Sequence, residues 1–256
     1  MTATRPSWWR RWLAGGQGSD SRPAPPGHSI YAVGDIHGRL DLLEDLSRKI
    51  MDHAAGAPAE IIFLGDYIDR GPDSAGVVSF LLSRPFPPTM ECVFLKGNHE
   101  ATLLDFLSNP GAGSAWAQYG GSETLLSYGV RAPLGKLDEE GWARASAQLA
   151  RQLPAGHLSF YQNLVLSAER GCYFFAHAGV DPGSPLDQQD EASLLWVRDA
   201  FLSDPRKLPR IIVHGHTPAA EPYADQRRIG LDTGAYQTGV LTAACLKAGE
   251  VSFLST

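Results

Sequence analysis

The sequence predicts an α/β domain, because short apolar runs alternate with segments of helical periodicity and polar residues follow the apolar runs. The first three runs, at 29–33, 60–64 and 90–95, have the length of buried strands. A helical segment follows each of them, so the pattern of a strand followed by a helix occurs three times. Ligand sites in α/β sheets lie at the carboxyl ends of the strands, where these polar residues stand.

The polar segment after the first run, at 34–39, reads GDIHGR. Asp35 and His37 are two residues apart, so on an extended backbone both side chains leave on the same side. A carboxylate and an imidazole on one face are the start of a metal site. Taken alone, the pattern is more often a turn with a surface histidine, so the other strands have to decide between the two interpretations.

The remaining elements follow in order along the chain. Helices are predicted at 40–51, at 74–83 and from about 100 to 108. The middle segment, 109–162, has helix-like stretches at 122–128 and 137–153 and no convincing strand, so we predict a helical insertion or cap. Further strands are predicted at 164–167, 172–176, 210–213, 228–231, 239–247 and 250–254, with a helical stretch at 194–198.

Residues 1–28 differ in composition from the rest of the chain. Arg, Gly, Ser and Pro dominate and no apolar face can pack, which predicts a disordered basic leader before a folded domain at 29–256. A stretch of Trp and Arg at 8–12 could form one interfacial turn, which leaves weak peripheral docking to a membrane or a partner as an alternative use. This stretch is too short for the apolar region of a secretory signal.

Charge and cysteine content exclude several classes of protein. The leader carries a net charge of +3 and the whole chain −6, so the domain carries −9 and lacks the basic surface of a nucleic-acid-binding protein. No apolar run reaches the roughly 18 residues of a transmembrane segment. The three cysteines are far apart and lack CxxC spacing, which argues against a disulfide framework and favours a cytoplasmic location.

Five of the predicted strands end in residues that can bind metal. One such strand end would be ordinary, but five, each followed by glycine or a turn, are hard to explain as helix caps or buried polar groups. The candidates are Asp35, His37, Asp66, Asn98, His99, His177, His214 and His216. Carboxylate, amide and imidazole donors without thiolate suit Mn, Fe, Zn or similar divalent ions, and six or more ligands indicate two of them.

In this order, the motifs GDIHGR, GDYIDRG, GNHE, AHAG and GHTP resemble those of the metallophosphoesterases. More narrowly, the chain is similar to the phosphoprotein phosphatase branch, which includes bacterial and phage serine/threonine phosphatases. The motifs LLWVR and IGLDTGAY also resemble those of bacterial members of this branch. The resemblance runs from about Tyr31 to the final strands. It implies a calcineurin-like metallophosphoesterase catalytic domain at 29–256, a β-sandwich flanked by helices with a helical insertion or cap.

The resemblance also implies which residues hold metal. One metal would be held by Asp35 and His37, both metals by the bridging Asp66, and the second metal by Asn98, His177 and His216. His214 matches no ligand position, and we expect it to support the ligands instead. We expect two divalent ions, with Mn as the first choice and Fe, Zn, Ni or Co as alternatives.

Four further residues would act on the substrate if the resemblance holds. His99 would be the general acid, with Asp69 as its orienting partner, and Arg70 and Arg198 would bind the phosphate. These residue types suit the chemistry, because a phosphomonoester repels nucleophiles through its own charge. Two divalent ions neutralise that charge and lower the pKa of a bridging water, which implies direct attack by that water without a covalent phosphoenzyme.

For several other residues near these motifs, the sequence leaves two interpretations open. Lys96 is expected to be a solvated lysine at a strand end, with phosphate contact as the alternative, and Tyr236 either lines the pocket or packs. We expect Trp116 and Tyr119 to form the core of the cap, with a substrate platform as the alternative. Glu100 should begin the following helix, where a carboxylate interacts favourably with the helix dipole.

Three functions from different classes fit these features. The expected one is a serine/threonine-type phosphomonoesterase acting on phosphoproteins or small phosphate esters. The alternative is a symmetrical diadenosine tetraphosphate hydrolase, a branch that tends to alter the aspartate of DRG and to read NHD, whereas Asp69 and Glu100 here match the first function. A metal-binding scaffold without turnover would be expected to lack catalytic residues that this sequence keeps. The physiological substrate, the native metals and the oligomeric state stay open.

Overall fold

Two five-stranded sheets pack face to face between layers of helices, which confirms the predicted α/β architecture. The computed structural model describes residues 29–135 and 138–256. The predicted leader at 1–28, including its Trp and Arg stretch, therefore lies outside the described residues. So does the beginning of the helix predicted at 137–153.

The regular elements are numbered here in chain order. The strands are β1 (Ser29–Val33), β2 (Ala59–Phe63), β3 (Met90–Phe94), β4 (Ser167–Arg170), β5 (Tyr173–Ala176), β6 (Ile211–His214), β7 (Tyr223–Ala224), β8 (Arg228–Gly230), β9 (Thr242–Lys247) and β10 (Glu250–Ser255). The helices are α1 (Leu40–Ala54), α2 (Ser74–Leu82), α3 (Asn98–Ser108), α4 (Gly113–Trp116), α5 (Ser122–Ser127), α6 (Glu139–Gln152), α7 (Ala155–Gln162), α8 (Glu191–Trp196), α9 (Asp199–Leu202) and α10 (Ala235–Thr238). A π-helical turn at Ala117–Gly121 joins α4 to α5.

Both sheets mix parallel and antiparallel pairs. The first has the order β10-β9-β1-β2-β3, in which β1, β2 and β3 are parallel and β9 and β10 are antiparallel additions. The second has the order β4-β5-β6-β8-β7, with β5, β6 and β8 parallel. The carboxyl ends of the parallel strands form a common edge in each sheet, and the candidate residues follow these ends.

Alternation along the strands divides the apolar side chains between two layers. In β1, Tyr31 packs with the helices on the outer face, whereas Ile30 and Ala32 face the second sheet. Phe175 and Val213 from the second sheet belong to the same inter-sheet cluster. The outer face of the second sheet is covered by α8 and α9.

The helices between β3 and β4 belong to the outer layer of the first sheet. Their buried side chains include Trp116, Leu125, Leu149 and Tyr161, which lie in the same core as Tyr31. The structure thus has helices where the sequence predicted a helical insertion, and α7 is an additional helix that the pattern did not separate. Among the residues that the structure describes, no helix is long and apolar enough to cross a membrane.

The strand predicted at 164–167 is wrong in position. Val165 forms only an isolated parallel bridge with Leu95, and the paired strand β4 begins at Ser167, opposite Ala176. The run from Leu164 is apolar because Leu164 packs into the outer core, not because the run is a ladder strand. An apolar run reports burial, and it cannot tell which backbone groups pair across a sheet.

The inter-sheet packing predicts a large difference between two leucine substitutions. Leu246 is fully buried between the sheets, whereas Leu126 on α5 is 65% exposed. Leu246→Ala should lower the unfolding free energy by about 2–5 kcal/mol, and Leu126→Ala should change it by less than about 0.5 kcal/mol. The midpoints of urea unfolding, followed by circular dichroism, measure both effects. Similar midpoints for the two variants would contradict the packing described here.

Candidate active site

The buried carboxylate of Asp66, at the end of β2, lies among imidazoles from three other elements. Its Oδ2 is 3.6 Å from Nε2 of His37, 3.4 Å from Nε2 of His177 and 3.8 Å from Nε2 of His99. All four residues are buried. The candidate ligands that the sequence spreads over 140 positions therefore meet around one oxygen atom.

A second group of donors lies beside this one. The amide oxygen of Asn98 is 2.8 Å from Nε2 of His177 and 3.0 Å from Nδ1 of His216. Both oxygens of Asp35 accept the backbone N–H of His216, at 3.1 Å each. Asp66 is shared by two groups with ligand atoms within 4.8 Å of one another, one with His37 and His99 and one with His177 and His216.

Several residues of the site have backbone conformations that L-amino acids rarely adopt. They have positive φ angles between 48° and 72°, and they are His37, Asp66, Asp69, Arg70 and His216. Such residues cost on the order of 1–3 kcal/mol each and persist only where the surroundings fix them. The sharp turns let each chain segment leave its strand and aim a polar side chain back at the strand ends.

The carboxylate of Glu100 fixes the loops that follow β2 and β3. It accepts the backbone N–H groups of Asp66 at 3.0 Å, Tyr67 at 2.8 Å and Ile68 at 3.3 Å, and that of Gly97 at 2.9 Å. The position at the start of α3 that the sequence predicted for Glu100 is therefore only part of its role. A Cβ atom at Gly97 would collide with the carboxylate of Asp66, so this position requires glycine.

The charges of the site favour a cation. Burial lowers the pKa of His37 to about 3, and it does the same for His216, so both imidazoles are neutral near pH 7. Burial and the neighbouring carboxylates of Asp232 and Asp66 raise the pKa of Asp35 well above its usual range. Neutral imidazoles are the form that binds metal. Crowded buried carboxylates without an equal number of cations fit a site for divalent ions.

His99 and Asp69 form a buried pair. Nδ1 of His99 lies 2.5 Å from Oδ2 of Asp69. Burial alone would lower the pKa of His99, but the carboxylates of Asp66 and Asp69 raise it to about 9. Nε2 of the same ring stays directed toward the metal-ligand cluster, where it faces Asp66. The ring is thus held by one nitrogen and presents the other to the cluster around Asp66.

Two arginines border the cluster. Nη2 of Arg70 lies 3.2 Å from Nε2 of His99, and Nε of Arg198 donates to Nε2 of His216 at 3.0 Å. The guanidinium of Arg70 also lies 4.8 Å above the ring of Tyr236, which packs edge-on against His37. Tyr236 therefore lines the site, which decides between its two interpretations.

The other residues left open by the sequence lie outside the cluster of donors. His214 is buried on the far side of β6, where Nε2 accepts from Arg228 at 3.3 Å, and it belongs to neither group of potential ligands. Lys96 pairs with Glu191 at 3.0 Å, which agrees with a lysine at a strand end. Trp116 is buried as expected, but the expectation for Tyr119 is wrong, because its side chain is 67% exposed.

Sequence reasoning missed three residues of the site. Glu100 was assigned only to the helix start, and Thr124 and Asp232 were not singled out. Thr124 donates to Oδ1 of Asp69 at 2.6 Å, across 55 positions of the chain. No local pattern signals a contact at such a separation. For Glu100, the place at the start of α3 could be predicted, but the bonds to the loop after β2 could not.

Comparisons with known proteins identify a family and several relatives. The family model of calcineurin-like phosphoesterases matches residues 28–241. The zinc-dependent endopolyphosphatase of Saccharomyces cerevisiae is 33% identical over 159 residues, which are 59% of this chain and 47% of that protein. The chain thus spans about half the length of this relative.

Two bacterial relatives differ in the share of the chain that they match. The asymmetrical bis(5'-nucleosyl)-tetraphosphatase PrpE of Anoxybacillus flavithermus is 25% identical over 82% of this chain and 87% of its own length. Serine/threonine-protein phosphatase 2 of Escherichia coli is 37% identical over 36% of this chain and 38% of its own length.

A solved structure supports the fold. The crystal structure of a candidate diadenosine tetraphosphatase superimposes with a TM-score of 0.63 over 91% of this chain and 95% of that chain, at 24% identity. The matched family model covers most of the sequence, including the segments that carry the motifs. The chain therefore belongs to the calcineurin-like phosphoesterase family, the metallophosphoesterase hydrolases that its motifs resemble.

Proposed function

We propose that this protein is a metal-dependent phosphomonoesterase of the serine/threonine protein phosphatase type. The single observation that carries the proposal is the buried pair of His99 and Asp69 beside the cluster of metal-binding side chains. A seryl or threonyl alkoxide is a very basic leaving group and needs a proton as it departs. A positioned imidazole can supply that proton near neutral pH.

The donor set fits two divalent ions. We propose that Asp35 and His37 hold one ion, that Asp66 is shared, and that the second ion is held by Asn98, His177 and His216. Bound ions would neutralise phosphate charge and lower the pKa of a water molecule. We propose Mn as the metal, with Fe, Zn, Ni or Co as alternatives, and the cytoplasm as the location of the protein.

We propose that the two arginines bind the phosphate. Arg70 and Arg198 both border the cluster, and each guanidinium group is a cation that would attract the phosphate. Planar guanidinium groups bind phosphate oxygens with two parallel hydrogen bonds, which fixes orientation as well as charge. Both guanidinium groups lie close to imidazole nitrogens, at 3.2 Å for Arg70 and 3.0 Å for Arg198, and their N–H groups would be the donors to a bound phosphate.

His99 completes the reaction by moving one proton. As the bond between phosphorus and the seryl oxygen breaks, the proton on Nε2 passes to that oxygen, and serine leaves as a neutral alcohol. The oxygen of the attacking water stays on phosphorus, so the second product is inorganic phosphate. Throughout, Nδ1–H remains hydrogen-bonded to Asp69, which keeps the ring oriented.

A second candidate is hydrolysis of dinucleoside polyphosphates. It is favoured by the asymmetrical tetraphosphatase relative, which matches 82% of the chain, whereas phosphatase 2 matches 36%. This relative is named as asymmetrical, whereas the alternative drawn from the sequence was the symmetrical hydrolase. A phosphate leaving group is a far weaker base than an alkoxide. The pair of His99 and Asp69 would therefore contribute less to such a reaction, which is why we prefer the monoesterase.

Removal of metal provides the direct test of the proposed function. Treatment with EDTA should abolish hydrolysis of a phosphoserine peptide, and added Mn should restore it, because the clustered donors are proposed to act only through bound ions. Circular dichroism before and after treatment controls for loss of the fold. Undiminished activity in protein whose metal content is undetectable by elemental analysis would contradict the mechanism, and activity on dinucleoside polyphosphates alone would favour the second candidate.

Substitution of His99 separates a proton donor from a residue that only maintains the structure. General-acid catalysis contributes typically about 10²–10⁴-fold, and this contribution depends on the basicity of the leaving group. His99→Asn should therefore reduce kcat on a phosphoserine peptide far more than kcat on p-nitrophenyl phosphate, whose leaving phenolate is a weak base. Metal content is measured in parallel. Equal losses on both substrates with metals retained would exclude the proposed acid role.

A further inference from the structure

Two side chains from the helices between β3 and β4 hold the carboxylate of Asp69. Nε1 of Trp116 donates to Oδ2 at 2.7 Å, and Oγ1 of Thr124 donates to Oδ1 at 2.6 Å. Since Oδ2 also lies 2.5 Å from Nδ1 of His99, both oxygens of this buried carboxylate have short contacts. The carboxylate cannot rotate without breaking at least one of them.

The backbone of Asp69 is fixed from the same side. Its N–H group donates to Oγ of Ser74 at 3.0 Å and to Oγ1 of Thr124 at 2.9 Å, and these two hydroxyl oxygens are 2.8 Å apart. Asp69 has a φ of 72°, a conformation that an aspartate keeps only when external contacts hold it. Thr124 thus contacts both the main chain and the side chain of the same residue.

The neighbouring Arg70 also depends on these helices. Its backbone N–H donates to the carbonyl of Gly120 at 3.1 Å, and its Nε lies 3.5 Å from the carbonyl of Tyr119. Gly120 has a φ of +104°, and a Cβ atom there would collide with the backbone of Arg70. Two adjacent residues of the proposed machinery are therefore placed by residues 116–124, none of which belongs to the two groups of potential ligands.

We propose that Trp116 and Thr124 are positioning residues for the cleavage of the phosphate ester. They fix the Asp69 carboxylate, which in turn fixes the imidazole ring of His99 toward the leaving group. In a buried, weakly polar environment, each of these hydrogen bonds is stronger than it would be in water, so losing one loosens the whole chain of contacts. This inference rests on the proposed function, because it concerns the same proton transfer.

The chain offers variants that remove the hydrogen bonds of one side chain at a time. Trp116→Phe deletes the indole N–H but keeps an aromatic ring against Phe106, 5.0 Å away. Trp142→Phe is the matched control, because Trp142 is buried against the same Phe106 and its Nε1 has no hydrogen-bond partner. Thr124→Val deletes the hydroxyl at nearly constant volume, whereas Thr124→Ser keeps it.

A comparison of two substrates distinguishes positioning from general damage. Trp116→Phe and Thr124→Val should lower kcat on a phosphoserine peptide by about tenfold or more, the effect of a hydrogen bond to a charged group. On p-nitrophenyl phosphate the loss should be clearly smaller, and Thr124→Ser should restore most of the peptide activity. Trp142→Phe should leave both rates unchanged. Equal losses on the two substrates, or equal losses in the Trp142 control, would overturn the inference while leaving the phosphatase activity itself established.

A measurement without substrate keeps the inference testable if the proposed function fails. The proton between His99 and Asp69 should give a low-field NMR resonance that is absent from His99→Asn. We expect this resonance to shift in Trp116→Phe and in Thr124→Val and to stay in place in Trp142→Phe. An unchanged resonance in both test variants would show that the two side chains do not position the pair, whatever reaction the protein catalyses.

Discussion

The four hydrogen bonds that Glu100 accepts are the constraint on which the rest of the site depends. They join the loop after β2 to the loop after β3, at Asp66 to Ile68 and at Gly97. Burial and the charge of Asp66 raise the pKa of Glu100 to about 7, while four N–H donors favour its ionised form. Because both loops are tied to one carboxylate, the segments that carry Asp66 and Asn98 are held next to each other.

The two proposed functions of the site, metal binding and proton donation, depend on different parts of the structure. The donor cluster is built by strand ends, whose positions are set by the parallel ladders of the two sheets. The pair of His99 and Asp69 is instead held by helices outside the sheets, through Trp116 and Thr124. Sheets thus fix the proposed metal ligands, and the helical layer fixes the proposed proton donor.

Much of this arrangement could be predicted from the sequence, because each strand and its polar end are adjacent in the chain. Asp35 and His37 follow β1 directly, and the apolar run before them was sufficient to place them at a sheet edge. The rest depends on contacts between distant residues. Glu100 reaches across 34 positions to Asp66, and Trp116 across 47 to Asp69, so only the packed structure reveals them. The strand near Val165 was misplaced for the same reason, because an apolar run indicates that side chains are buried but not which strands pair.

The central claim is that the donors around Asp66 bind two divalent ions that share this carboxylate. Electron paramagnetic resonance of the full chain loaded with two equivalents of Mn tests it most directly. Two ions that share a ligand lie about 3.5–4 Å apart and interact magnetically. The account predicts the spectrum of a coupled Mn pair, which Asp66→Asn should weaken or abolish. A six-line spectrum of isolated Mn in the wild-type protein would contradict it.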